Sequence, residues 1–201
     1  MIVKGWHGLL GTFTGVVLLT VAALPAAVLV AWALARRRRA TGATSVWAWR
    51  ASLAEVGIVY GTAPWVWMIL LPGSRAGVDA QRVSLVPLRD LLAVLAAGPV
   101  TATGQIVGNL LVFAALGFFA PVRFAVLTSV PRALALGAAC SAGVETAQYV
   151  LRLDRVSSVD DVLVNAAGAG LAGLASRRWW RARTAGAAAP EAPEAPALLP
   201  R

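Results

Sequence analysis

The sequence predicts an all-α fold: a polytopic integral membrane bundle of about five transmembrane helices, with its N-terminus outside and its C-terminus in the cytoplasm. Three observations predict it. Of the 201 residues 59% are hydrophobic and only 13% charged, whereas soluble domains carry about 25% charged residues. The apolar residues form runs long enough to cross a ~30 Å hydrocarbon core. Basic residues and tryptophans gather at the ends of those runs, where orientation signals and interfacial anchors belong.

The first run, roughly residues 8–35, is followed at once by Arg36 to Arg39. A basic block of this kind holds its end of the helix in the cytoplasm. The run is too long for a signal-peptide core, and Pro25 is a candidate kink. The second run, about 51–71, is interrupted only by Glu55, for which pairing with nearby Arg50 is expected. Residues 73–90 form a mixed-charge outer loop, and 91–99 is too short to span and reads as an interfacial or re-entrant element. The third span covers about 100–122, the fourth about 133–151, and the fifth about 162–176. Gly168, Gly170 and Gly173, with Ala169 and Ala172, give the fifth span small-residue faces suited to close packing. The chain thus divides into an N-terminal helix and basic loop (1–50), a four-helix membrane domain (51–183) and an Ala/Pro-rich tail (184–201) expected to be disordered.

The charges test this arrangement. On the cytoplasmic side fall Arg36 to Arg39, Arg50, Arg123, Arg132, Arg177, Arg178, Arg181, Arg183 and Arg201. Lys4, Arg75, Arg82, Arg89, Arg152 and Arg155 fall outside, together with every aspartate. The net charge of +9 therefore reflects topology and contact with membrane lipids rather than a nucleic-acid surface. His7 is the single histidine and Cys140 the single cysteine, so no intrachain disulfide and no multi-histidine metal site is expected. Cys140, inside an apolar run, reads as a small packing residue. No cofactor motif is present.

Against this apolar background, residues 143–165 stand out. Glu145 and Gln148 are three apart, and Asp161 and Asn165 four apart, so each pair shares a helix face. With Asn109 they lie in the outer halves of the third, fourth and fifth spans. A carboxylate within a membrane span costs at least a few kcal/mol, and such residues face the bundle interior. Two readings follow. One is an interhelical polar network that ties helices together. The other is a site for a polar or charged group at the outer face, lined by Asn109, Glu145, Gln148, Arg155, Asp160, Asp161 and Asn165. There Glu145 and Asp161 are the candidate acid–base pair or cation ligands, and Arg155 a candidate fork for phosphate or carboxylate. No nucleophile elbow, phosphate loop or zinc-ligand spacing occurs, so no reaction type follows. Transport is the weakest option, because five spans show no inverted repeat.

At these residues the sequence resembles the VanZ-like family. The matching pieces are Val83-Ser-Leu-Val-Pro-Leu-Arg89, Gly108-Asn-Leu-Leu-Val-Phe-Ala-Ala-Leu-Gly-Phe118, Glu145-x-x-Gln148, Arg155 followed by Asp160-Asp161, and Asn165-x-x-Gly168. Order and spacing are kept over roughly residues 83–175. Ser84, Leu88 and Ser158 depart from the family, which often has Asn, Phe and an acidic residue there. The resemblance implies a cell-membrane protein of envelope physiology, its namesake being associated with low-level resistance to teicoplanin-type glycopeptides. Two functional expectations stand beside each other: a non-enzymatic protein that binds a lipid-linked or cell-wall component, and a membrane enzyme acting on a lipid head group.

Overall fold

The computed structural model of the chain describes residues 11–73, 76–77 and 82–181. His7, Lys4, Arg75, Asp79 and the tail after residue 181 lie outside them. The described chain is nearly all-α. Its helices are α1 (Phe13–Ala40), α2 (Ser45–Ile69), α3 (Arg89–Ala96), α4 (Pro99–Val112), α5 (Ala114–Arg123), α6 (Val130–Val150) and α7 (Val159–Ala175). Two three-residue strands, β1 (Arg82–Ser84) and β2 (Val156–Ser158), pair in parallel with Val83 opposite Ser157.

Helix starts follow their capping residues. Thr12 accepts from the Gly15 amide, Thr44 from Trp47, and Ser129 from Arg132, each leaving fewer of the first-turn donors unpaired. Arg37, Arg38 and Arg39 occupy the last turn of α1, where the helix dipole favours cations. Two helical stretches are long and apolar enough to cross a membrane, α1 and the nearly continuous α4–α5 stretch Pro99–Arg123. At ~1.5 Å per residue the 28 residues of α1 extend about 42 Å. Most of its large side chains, Leu18, Val21, Leu24, Val28 and Leu29 among them, are exposed.

Each expected span has a helical counterpart, but the third is not one helix. It breaks at buried Phe113 (φ −113°, ψ 14°), which ends α4 and precedes α5. Phe113 belongs to the core with Val112 and Ala169, surrounded by Trp65, Val66, Ile69, Leu116, Cys140 and Val144. Cys140 is thus a packing residue of this core.

The glycine-rich helix α7 sits between α4, α5 and α6. A Cβ at Gly168 would come within 2.0 Å of the Leu110 carbonyl oxygen of α4, and one at Gly117 within 2.1 Å of the Ala169 carbonyl oxygen. The backbones touch because no side chain stands between them, which is how helices gain contact where lipid supplies no hydrophobic drive.

At one end of the bundle Glu55 bridges Arg38 of α1 and Arg123 of α5, and Arg38 also donates to Ser52. The expected Glu55–Arg50 pair does not form. Five residues apart on a helix is ~140° around the axis, so the two side chains leave on different faces. Arg50 instead donates to the Trp179 carbonyl, at the same end. At the opposite end the loop after α2 lies on the loop after α6, through Gly73 N–H to Leu153 and Gly77 N–H to Arg152.

Candidate functional site

The site is assembled at this second end from segments that are far apart in sequence. The β1–β2 pair fixes the chain before α3 against the chain before α7. Both loops carry residues in the left-handed region: Leu88 (φ 67°), Arg152 (φ 52°) and Asp154 (φ 55°). For a leucine this conformation costs on the order of 1–3 kcal/mol and persists only when neighbours enforce it. The enforcing group is Asp160, which is 4% exposed. Its carboxylate accepts from the amides of Leu88 (2.6 Å), Asp90 (2.9 Å) and Leu91 (3.0 Å). The backbone donors at the start of α3 form a concavity for an anion, and Asp160 fills it.

Ser158 connects the same elements three ways. Its hydroxyl oxygen accepts from the Asp160 amide as the cap of α7, and the hydroxyl donates to Asp90 at 2.5 Å. Its amide donates to Glu145 Oε2 on α6 at 3.1 Å. The hydrogen bond from Ser158 holds the Asp90 carboxyl below the ordinary aspartate range. Ser158 is therefore a junction between α3, α6 and α7.

These elements enclose an open cavity of about 510 Å³. All seven residues singled out in the sequence line it, and the structure divides them by what they do. Gln148 donates to the Ile69 carbonyl (2.8 Å), tying α6 to the end of α2. Asp160 is committed to α3. Asn109 of α4 donates to Asp161 Oδ1 of α7 at 2.6 Å, while Oδ2 accepts from no described residue. Asn165, 3% exposed, donates to Ser141 at 2.8 Å and leaves its Oδ1 with no donor. Glu145 lies within electrostatic reach of both Asp161 and Arg155. Arg155 is exposed at the rim and makes no hydrogen bond or ion pair with a described residue.

Sequence reasoning missed Asp90 and the α3 face formed by Leu91 and Val94, and noted Ser158 only as a departure from the resemblance; all of them line the cavity. Asp90 stands beside an apolar run with no polar partner at helical spacing, and Ser158 is an ordinary loop residue until β2 places it. Among the described residues no three His, Cys, Asp or Glu side chains are disposed to hold a metal ion.

No curated protein and no solved structure matches the chain. The family model described as VanZ/LLP1 matches residues 58–180, covering α3 to α7 and both strands as well as the C-terminal half of α2. With its two long apolar helices this marks a membrane protein. By that match, over the segment that builds the cavity, the chain belongs to the VanZ/LLP1 family.

Proposed function

We propose that the protein is a five-span envelope protein, N-terminus out and C-terminus in, whose outer-face cavity binds the polar part of a lipid-linked or cell-wall component. Through that binding it alters sensitivity to teicoplanin-type glycopeptides. One observation carries the binding reading. Deep in a cavity of about 510 Å³, Asn165 is 3% exposed yet keeps an oxygen that no protein donor satisfies. Leaving such a buried acceptor open costs a network that only joins helices about 1–3 kcal/mol, which a guest's donor would recover. The volume falls within the ~300–1,000 Å³ usual for small-molecule sites.

The orientation is supported by the segregation of the ends. Arg38, Arg50, Arg123 and the Trp179 region meet at one end. The cavity and its aspartates occupy the other.

A second reading has a specific observation in its favour: Glu145 and Asp161 are two carboxylates facing one cavity. They have the arrangement of an acid–base pair acting on a lipid head group.

The test is a deletion strain complemented with wild type, Glu145→Gln or Arg155→Lys, read by protein level, teicoplanin susceptibility and lipid profile. Glu145→Gln preserves shape, and Arg155→Lys preserves charge while losing the planar fork. Normal accumulation with loss of the phenotype is the expected result. Normal accumulation with full phenotype for both variants would reduce the cavity to a structural network. A lipid species that appears or vanishes with Glu145→Gln would favour the enzyme.

A further inference from the structure

The chemistry of the cavity wall identifies the guest more closely, on the footing that the cavity is a binding site. Many of its donors are already engaged within the protein. Asn109 gives its amide to Asp161, Asn165 to Ser141, and Gln148 to Ile69, and the α3 amides converge on Asp160. Acceptors are left over: Asp161 Oδ2 and, buried at 3% exposure, Asn165 Oδ1. A guest that brings donors therefore suits the inner wall. Two carboxylates, Glu145 and Asp161, face the same space, so a positively charged donor is favoured over a neutral hydroxyl. Among the described residues no three His, Cys, Asp or Glu side chains are disposed to share a metal ion. A quaternary ammonium fits poorly. It has no N–H to give, and among the described residues no aromatic ring lines the cavity to take it by cation–π attraction.

The rim has the opposite sign. Among the described residues Arg155 is the one cation lining the cavity, exposed and without a hydrogen-bond or ion-pair partner. An unpaired guanidinium at the mouth of an acceptor-lined cavity matches a phosphate lying just outward of the ammonium. Beside that mouth α3 turns Leu91 and Val94 to the cavity and leaves Leu92 and Leu95 exposed, a surface suited to acyl chains.

We propose that the cavity is a receptor for the phosphoethanolamine headgroup of a phospholipid. The primary ammonium is held by Asp161, Glu145 and Asn165 Oδ1, and the phosphate by Arg155.

The full-length protein in detergent is titrated with dihexanoyl phosphatidylethanolamine, phosphatidylcholine and phosphatidylglycerol, with binding read from thermal unfolding by tryptophan fluorescence. Wild type should bind the ethanolamine lipid about tenfold or more tighter than the other two, the size of one charge-assisted hydrogen bond. Asp161→Asn should bring the three affinities together. Arg155→Gln should weaken all three by a similar factor and leave the preference in place. Glu145→Gln, also expected to reduce the preference, takes the place of Asp161→Asn if that variant does not fold. Equal binding of the three lipids by wild type, weakened by the same variants, would overturn the ammonium assignment while leaving the cavity a ligand site. Lipid binding indifferent to all of these variants would overturn both. Soluble O-phosphoethanolamine distinguishes the sources: affinity equal to that of the lipid would assign a soluble compound and overturn the lipid.

Discussion

Replacing Asp160 by alanine is the perturbation that most directly tests how the cavity is held together. Three backbone amides, at 2.6, 2.9 and 3.0 Å, lose their acceptor at once. Each unsatisfied buried donor costs about 1–3 kcal/mol. Water in the adjoining cavity can reach them, which places the cost at the lower end, about 3 kcal/mol for the three. For a chain of this size 1 kcal/mol corresponds to about 2–4 °C in Tm, so the expected loss is about 6–12 °C. Asp160→Asn keeps one acceptor oxygen and should lose roughly half of that. The eight tryptophans make unfolding in detergent readable by intrinsic fluorescence. Leu88→Gly supplies the control. Glycine adopts a φ of 67° without strain, so it should raise stability by about 1 kcal/mol in the wild-type background. A Tm for Asp160→Ala within about 2 °C of wild type would refute the idea that this carboxylate fastens α3 to α7.

Further outcomes follow from the same contacts. Gly168→Ala places a methyl group 2.0 Å from the Leu110 carbonyl oxygen, a distance only backbone movement can relieve. It should cut the yield of folded protein severely on size-exclusion chromatography, whereas Gly104→Ala, which meets nothing within 4 Å, should not. The Asp90 carboxyl is held low in the folded state by Ser158, so its contribution to stability is present above the unfolded aspartate value near pH ~4 and disappears as pH falls through the lower folded value. Ser158→Ala should move the acid limb of a Tm–pH profile to higher pH, and an unchanged limb would refute the assignment. With Cys140 replaced by alanine, a cysteine at Ala76 should react with an impermeant maleimide on intact cells and one at Ala43 should not. The reverse pattern would invert the proposed orientation.

Much of the architecture is legible in the sequence because membrane helices are written as long apolar runs, and the same background makes polar residues conspicuous. Glu145 with Gln148, and Asp161 with Asn165, announce shared faces by their spacing alone, and all four line the cavity. Spacing could not say that Gln148 would turn to Ile69 rather than to a guest, nor that Asp160 would be consumed by α3. Those outcomes depend on a loop carried in by β1 and β2, three residues each and about seventy residues apart, too short to show a two-residue period. The break at Phe113 has neither proline nor glycine to mark it. Sequence distance pairs Glu55 with Arg50, whereas in the bundle its partners are the arginines that neighbouring helices bring to its face.

The double grip of Glu55 has a bearing on how the molecule is put together. The family match begins at residue 58, so α1 lies wholly outside it. Glu55 holds one arginine on each side of that divide, Arg38 from α1 and Arg123 from within the matched segment. Without α1 the carboxylate would still have Arg123 as its counterion, and that end of the bundle would not be left with an uncompensated negative charge. The first helix is attached as a lateral accessory, latched at Glu55 and by the Tyr60 hydroxyl to Thr20. The bundle from α2 onward thus keeps a counterion for Glu55 within itself, so removing α1 would not require that pair to be rebuilt.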